Sequence, residues 1–411
     1  MRGAAGTGVA VGARAAGALL LNKLVALYGG PGGLTQLAQF QNLMALFGAL
    51  PADGVQVGAT TYLAPLRPGT ARYRLYLGAA LWLTAGLVVV AGALLGGLGG
   101  AAWPVGRTVA FTVAMGLVTG QALLGAALLA AGRRGAYVAL ATVLSAAGVL
   151  AAGSLLALGR PMSQVLLGYV GGQALSAGVG LLLARRAGLL RGGPAARPSR
   201  AAVRALSRFL LMALGGLLFD RTIDYAVRAY LIAHFVPAAT DQWQAVAKLS
   251  DNYTLVVGAV LSTVFFPRLA ALAPHPAEQR RYVGTVAALL AVGLALGLGL
   301  VYGLRREVLA LLFAPRLAAA ASLMAPQLLG DWAKLVSWVF LYVLLVRARP
   351  GPYLAWQAFA AVLYVGLVVG LLPARGLPGL VLAHAAHHGV LLVLCLGWFW
   401  RPYFRPSKKR R

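Results

Sequence analysis

LYLGAALWLTAGLVVVAGALLGGL, residues 75 to 98, runs the thickness of a membrane without one charged side chain, and Arg72 and Arg74 stand just before it. A hydrocarbon core of about 30 Å is crossed by about 20 helical residues. A helix suits it because every interior backbone N–H and C=O is bonded within the segment. Similar apolar runs, bounded by Arg, Pro or Gly breaks, recur along all 411 residues. They predict spans at 8–28, 34–62, 75–98, 108–131, 136–158, 163–184, 205–235, 242–266, 282–303, 319–346, 353–372 and 378–400. The fold class is therefore an all-α polytopic membrane protein of about twelve transmembrane helices. Composition agrees: 60% of residues are hydrophobic and 11% charged, and mean hydropathy is +0.81, whereas soluble domains are about 25% charged.

The net charge of +28 would suit a nucleic-acid surface if it lay along one polar face. It lies instead in short clusters between apolar runs, which points to the lipid bilayer as partner and not to nucleic acid. Lys and Arg collect in cytoplasmic loops. With a cytoplasmic N-terminus, twenty-four of the 36 basic residues fall on the cytoplasmic side: Arg2, the clusters at 67–74, 133–134, 185–208, 268–281 and 347–349, and the tail from Arg401 to Arg411. Arg107, Arg160, Arg305, Arg306, Arg316 and Arg375 fall opposite, and six remain within the spans. Both termini are thus expected inside. The segment RREVLALLFAPR, 305–316, places three arginines on the wrong side and reads as an interfacial helix. No small-residue cleavage site follows the first apolar run, so that helix is expected to be retained. Cys395 is the sole cysteine, which excludes an intramolecular disulfide and a thiolate metal cluster.

The longest polar break, residues 185–204, divides the chain into an N-terminal six-helix lobe, 1–184, and a C-terminal six-helix lobe, 205–400, with a basic cytoplasmic tail at 401–411. Both lobes would begin on the cytoplasmic side and could be parallel repeats. Lys23, Pro31, Phe40–Gln41 and Pro65 in the first are matched in order by Arg228, Pro237, Trp243–Gln244 and Pro267 in the second. The alternative is that proline and aromatic residues simply recur at membrane interfaces.

An ionisable group at the bilayer centre costs about 2.5–3.5 kcal/mol on insertion scales, so it usually faces a cavity or a partner. The basic set is Arg14, Lys23, Arg221, Arg228, Lys248 and Lys334; the acidic set is Asp53, Asp220, Asp224, Asp251 and Asp331. Asp220, Asp224 and Arg228, at i, i+4 and i+8, predict a polar stripe, and Lys248/Asp251 and Asp331/Lys334 are i, i+3 pairs. These groups would either line a cavity or pair locally and hold helices together. Lys23, Arg228 and Arg14 lie close enough to span ends to snorkel instead. An excess of cations in the membrane suits an anionic substrate, and a diphosphate would be held by charge-assisted hydrogen bonds. The carboxylates could then couple transport to protons.

His384, His387 and His388 share one helix face at i, i+3 and i+4. Packing against neighbouring helices or wetting a cavity is the plain reading of that set, with a proton relay or a metal as alternatives. No metal site or other cofactor is expected. No Walker A loop, nucleophile elbow or large extramembrane loop is visible, so the chain reads as a transporter and not an enzyme. The Gly168–Gly172 spacing suits close helix packing.

The segment GALLLNKLVALYGGPGGLTQLAQFQNLMALFGAL, residues 17–50, resembles the first two helices of Wzx-type O-antigen and lipid III flippases of the MOP exporter superfamily. LSRFLLMAL (206–214), Arg228, WQAVAKLSDNY (243–253), Pro267 and QLLGDWAK (327–334) resemble that family's segments in the same order. The resemblance implies movement of an undecaprenyl-diphosphate-linked glycan, such as an O-antigen or enterobacterial-common-antigen-like unit, from the cytoplasmic to the periplasmic leaflet. It implies alternating access of the two lobes in the bacterial inner membrane, with no cofactor beyond a proton or ion gradient. A polysaccharide polymerase and a chain-length regulator would be partners. Lys23, Arg228, Asp251, Asp331 and Lys334 match by position; Asp53, Asp220, Arg221, Asp224, Lys248 and the histidines depart from the family's pattern.

Competing readings are a MATE-like small-molecule exporter, a membrane glycosyltransferase or polymerase, and a passive scaffold. Organic cations favour an acidic cavity, whereas this one is mixed to basic. A glycosyltransferase needs an extramembrane catalytic loop, and a scaffold has no use for buried charge.

Overall fold

A computed structural model describes residues 2–100, 103–193, 199–346 and 350–404. Arg197, Arg347, Arg349, Arg405, Lys408, Lys409, Arg410 and Arg411, which carry part of the expected cytoplasmic charge, lie outside the described residues. The described residues fold almost entirely into helices, and the chain divides into two compact units, residues 1–230 and 231–411.

In the first unit run α1 (Arg2–Tyr28), α2 (Gly33–Ala49), α3 (Val57–Leu63), α4 (Ala71–Leu98), α5 (Val105–Ala130), α6 (Arg134–Ala157), α7 (Met162–Arg186), α8 (Arg200–Gly216) and most of α9 (Thr222–His234). The second unit holds the end of α9, then α10 (Pro237–Val260), α11 (Phe266–Ala271), α12 (Pro276–Gly303), α13 (Arg305–Leu312), α14 (Met324–Val346), α15 (Pro350–Arg375) and α16 (Leu377–Phe404). The division between these units falls after Tyr230, with α8 packed on α3, α4 and the turn between α2 and α3. The eight-residue α13 occupies the segment read as an interfacial helix.

Among the described residues, nine helical runs are long and apolar enough to cross a membrane. The count of twelve is therefore not established. Helix α1, the run from α2 through α3, and α14 occupy the other three predicted spans.

Local chemistry ends these helices where the sequence predicts breaks. Gly132 and Gly159 adopt φ 73° and 64°, the left-handed conformation that glycine takes without a Cβ penalty. Each closes a Schellman motif, with Arg133 N–H donating to the Leu128 carbonyl at 2.9 Å and Arg160 N–H to that of Leu155 at 3.0 Å. Thr70 caps α4 by accepting from Tyr73 N–H at 3.3 Å.

Among the described residues three helical runs carry a π-helical turn: Leu50–Gln56 joins α2 to α3, Leu217–Arg221 joins α8 to α9, and Leu261–Phe265 joins α10 to α11. A π turn inserts a residue into the α ladder. Pro51 lies within the first and Pro267 lies two residues past the third, where the widened ladder relieves the hydrogen bond that proline cannot donate.

Packing is by aromatics and small residues. Phe111 meets Phe40, Phe47 and Trp103 edge-on at centroid distances of 5.4, 4.9 and 5.3 Å, an arrangement the ring quadrupoles favour. A Cβ at Gly172 would lie 2.7 Å from that of Ala151, and one at Gly168 would strike Leu155. The Gly168–Gly172 spacing thus brings α7 against α6. In the second unit Phe265, Phe340, Val343, Trp356 and Leu392 form the core.

Candidate functional site

In the second unit α14 packs against α10 and α16, and polar side chains from all three converge on Asp331. Its side chain is wholly buried, with relative exposure 0%. Ser250 and Tyr253 are one turn apart on α10, and Gln327 lies one turn before Asp331 on α14. These i, i+3 and i, i+4 spacings put each pair on one helix face. Ser250 Oγ donates to Asp331 Oδ2 at 2.6 Å, and Tyr253 Oη donates to the same oxygen. Gln327 Nε2 donates to Oδ1 at 3.3 Å. From α16, His384 Nε2 lies 2.9 Å from Oδ1.

A carboxylate costs several kcal/mol to bury unless its lone pairs are filled, and here each oxygen has polar partners. Gly330 makes the approach of α16 possible, since a Cβ there would lie 2.5 Å from His384 Cδ2 and 3.0 Å from Ala385 Cα.

This arrangement corrects one expectation. Asp331 pairs with His384, 53 residues away, and not with Lys334 on its own helix. Lys334 sits with Nζ 5.6 Å from the Trp338 ring centroid, a cation–π distance. The Lys248/Asp251 pair does form, at 4.0 Å, with Asp251 largely exposed. The three histidines stack edge-on along α16, with His384 to His388 at 4.6 Å and His387 to His388 at 4.5 Å between centroids. Among the described residues no group of three His, Cys, Asp or Glu side chains is placed to hold a metal ion.

The remaining candidates lie in the first unit. Arg228 on α9 is buried, with 8% exposure, and Lys23 on α1 is half-buried beside the buried Asn22. Arg14 is exposed, its guanidinium 5.9 Å from the Tyr137 ring centroid. Asp53 and Arg221 pair at 3.2 Å, each on a π turn and each about half exposed. The expected stripe of Asp220, Asp224 and Arg228 does not share one environment: both acids are exposed whereas the arginine is buried. The change falls between Asp224 and Arg228, one turn apart on the regular helix α9 and past the π turn Leu217–Arg221 that holds Asp220.

Polar atoms that the sequence reading passed over complete the picture. Asn22 Oδ1, Gln39 Oε1 and Asn42 Nδ2 are buried without a hydrogen-bond partner among the described residues. Gln39 Nε2 donates to the Tyr225 carbonyl at 3.4 Å, tying α2 to α9. Asp241, wholly buried in the first turns of α10, also went unnoticed. It lies four residues after Pro237, where the sequence suggests a loop. Ser250, Tyr253 and Gln327 fall inside recognisable segments, and only the i, i+4 spacing of Gln327 to Asp331 hints at their role.

No family model matches the chain. Over 422 aligned residues, 97% of each protein, it is 30% identical to the lipid III flippase of Escherichia coli (strain K12), and equally so to that of Shigella flexneri. Among solved structures it superposes on lipid II flippase MurJ in an inward closed conformation with TM-score 0.69 at 10% identity, covering 97% of this chain and 88% of that one. An inward-facing multidrug resistance MATE family transporter of the MOP superfamily gives TM-score 0.67 at 13% identity, covering 98% and 96%. At such identities these structures establish a shared fold.

Proposed function

Because the chain belongs to the lipid III flippase family of the MOP exporter superfamily, we propose that it carries an undecaprenyl-diphosphate-linked glycan from the cytoplasmic to the periplasmic leaflet by alternating access. It is a multi-pass inner-membrane transporter of lipid-linked oligosaccharide and not an enzyme. The observation that carries this is sequence identity running over 97% of both chains.

The buried and half-buried cations support a division of labour. Arg228 and Lys23 in the first unit attract the diphosphate through charge-assisted hydrogen bonds, with Arg14, exposed on α1, extending that cationic path; Lys334 and Lys248 offer the same chemistry within the second unit. The buried amides of Asn22, Gln39 and Asn42 suit sugar hydroxyls, which both donate and accept. The polyprenyl tail stays in lipid. Lobes 1–184 and 205–400 alternate access to the site, and the flipped glycan passes to a polysaccharide polymerase with its chain-length regulator.

Asp331 and His384 form the element that couples transport to a proton gradient. A buried carboxylate 2.9 Å from an imidazole can hold a proton on either partner, as a neutral acid facing a neutral ring or as an ion pair. Asp251, Asp224, Asp220 and Asp53, all exposed, balance cavity charge.

The test is complementation of a bacterium lacking its own flippase of this family, with surface glycan as readout. Arg228→Ala is expected to remain in the membrane at wild-type abundance and to abolish glycan assembly. Full complementation by that variant would remove Arg228 from the substrate path, and failure of the wild-type chain to complement any glycan system would refute the function.

A further inference from the structure

Arg305, Arg306 and Arg316 run against the charge asymmetry that orients the rest of the chain, and the structure gives two of them a cavity. Helix α12 ends at Gly303 and α13 begins at Arg305. This corner and the 3-10 segment Pro315–Leu323, with the start of α14, border a partly open cavity of about 470 Å³. Arg305 and Arg306 form the charged wall beside Tyr302, and the opposite wall is alanine with Ser322. Among the described residues no carboxylate lines it.

Arg305 is positioned in advance. Its Nη1 donates to the Tyr302 carbonyl at 2.9 Å, and its guanidinium lies 4.4 Å from the Tyr302 ring centroid. A guanidinium has five N–H donors, and this contact uses one. Ser322 Oγ donates to the Ala319 carbonyl at 3.3 Å, so the cations, not the hydroxyl, must recognise a ligand.

The surface leading to the cavity identifies the ligand further. Leu296, Leu300 and Leu304 are exposed at i, i+4 and i+8, a single stripe that runs toward Arg305, and Leu311 is exposed on α13. An apolar stripe ending at a cationic cavity matches an amphiphile with acyl chains and a phosphate head. A free phosphate would use the arginines and leave the stripe idle. Basic pockets between membrane helices take anionic head groups on this basis.

We propose that the cavity binds the phosphate head group of an anionic membrane phospholipid, on the membrane face opposite the basic loops. A bound anion compensates the two arginines there and anchors α13 against the bilayer. This function is separate from glycan transport.

The proposal is tested with the purified full-length chain in neutral detergent, by native mass spectrometry and by lipid-induced shifts in thermal unfolding. Phosphatidylglycerol, phosphatidylcholine and inorganic phosphate are the probes. Wild type is expected to retain phosphatidylglycerol over phosphatidylcholine by about 25-fold, given about fivefold for each of two surface arginines. Arg305→Gln/Arg306→Gln is expected to remove that preference and the accompanying thermal shift. Inorganic phosphate is expected not to displace the lipid. Unchanged phosphatidylglycerol retention in the double variant overturns the proposal, and so does displacement by equimolar phosphate, which would mark a free-anion site. Should the double variant fail to fold, Arg306→Gln alone keeps the Tyr302 contact; retention falling several-fold supports the proposal, and unchanged retention overturns it.

Discussion

Asp331 sits with no solvent exposure in an apolar helix, and it is tolerated because Ser250, Tyr253, Gln327 and His384 surround its two oxygens. Removing the carboxylate orphans several buried polar groups at about 1–3 kcal/mol each. Asp331→Ala is therefore expected to lower stability by about 3 kcal/mol or more, seen as earlier thermal unfolding in detergent. Asp331→Asn keeps the shape and one acceptor but cannot carry the charge. It is expected to accumulate normally in the membrane and to lose dependence on an imposed pH gradient in proteoliposomes; transport still driven by the gradient would make the carboxylate structural. Gly330→Ala brings a Cβ to 2.5 Å from His384 Cδ2. Overpacking of this kind costs about 1–3 kcal/mol, and here it should also separate His384 from Asp331. The expected sign is a lower unfolding temperature together with the coupling defect of Asp331→Asn.

Helices in a bilayer gain little from hydrophobic burial against one another, so close backbone approach through small residues carries much of their association. Helix α7 shows this at Gly172, where any side chain meets the Ala147 carbonyl and Ala151. Gly172→Leu is expected to force α6 and α7 apart and to reduce the amount of protein extracted folded from membranes, whereas Gly171→Leu, at open space, is expected to change little; equal behaviour of the two variants would deny the glycine its packing role. The run 162–186 was visible from its apolar length, and the tight seam from its glycine spacing. The π turns were not. A π turn depends on how neighbouring helices and the local ladder settle, and only Pro51 and Pro267 betray two of them. The one at Leu217–Arg221, which has no proline, left no mark in the sequence.

Across the whole chain, charge placement predicts a testable orientation. A reporter active only in the cytoplasm, fused after Gly193, is expected to be active, and the same reporter fused after Gly303 inactive; the reverse pattern would invert the protein. Cys395 is the only cysteine and is buried, so single-cysteine labelling of the loops can check this with little background. Membrane class, nine of the predicted spans and the family were legible from the sequence, because the bilayer imposes segment length and apolarity residue by residue. Which buried charges become partners was not legible. Asp331 meets His384 and Asp53 meets Arg221 across 53 and 168 positions of chain, and those distances close only when particular helices pack. Local spacing therefore named the ionisable residues, and tertiary contact alone decided what each of them touches.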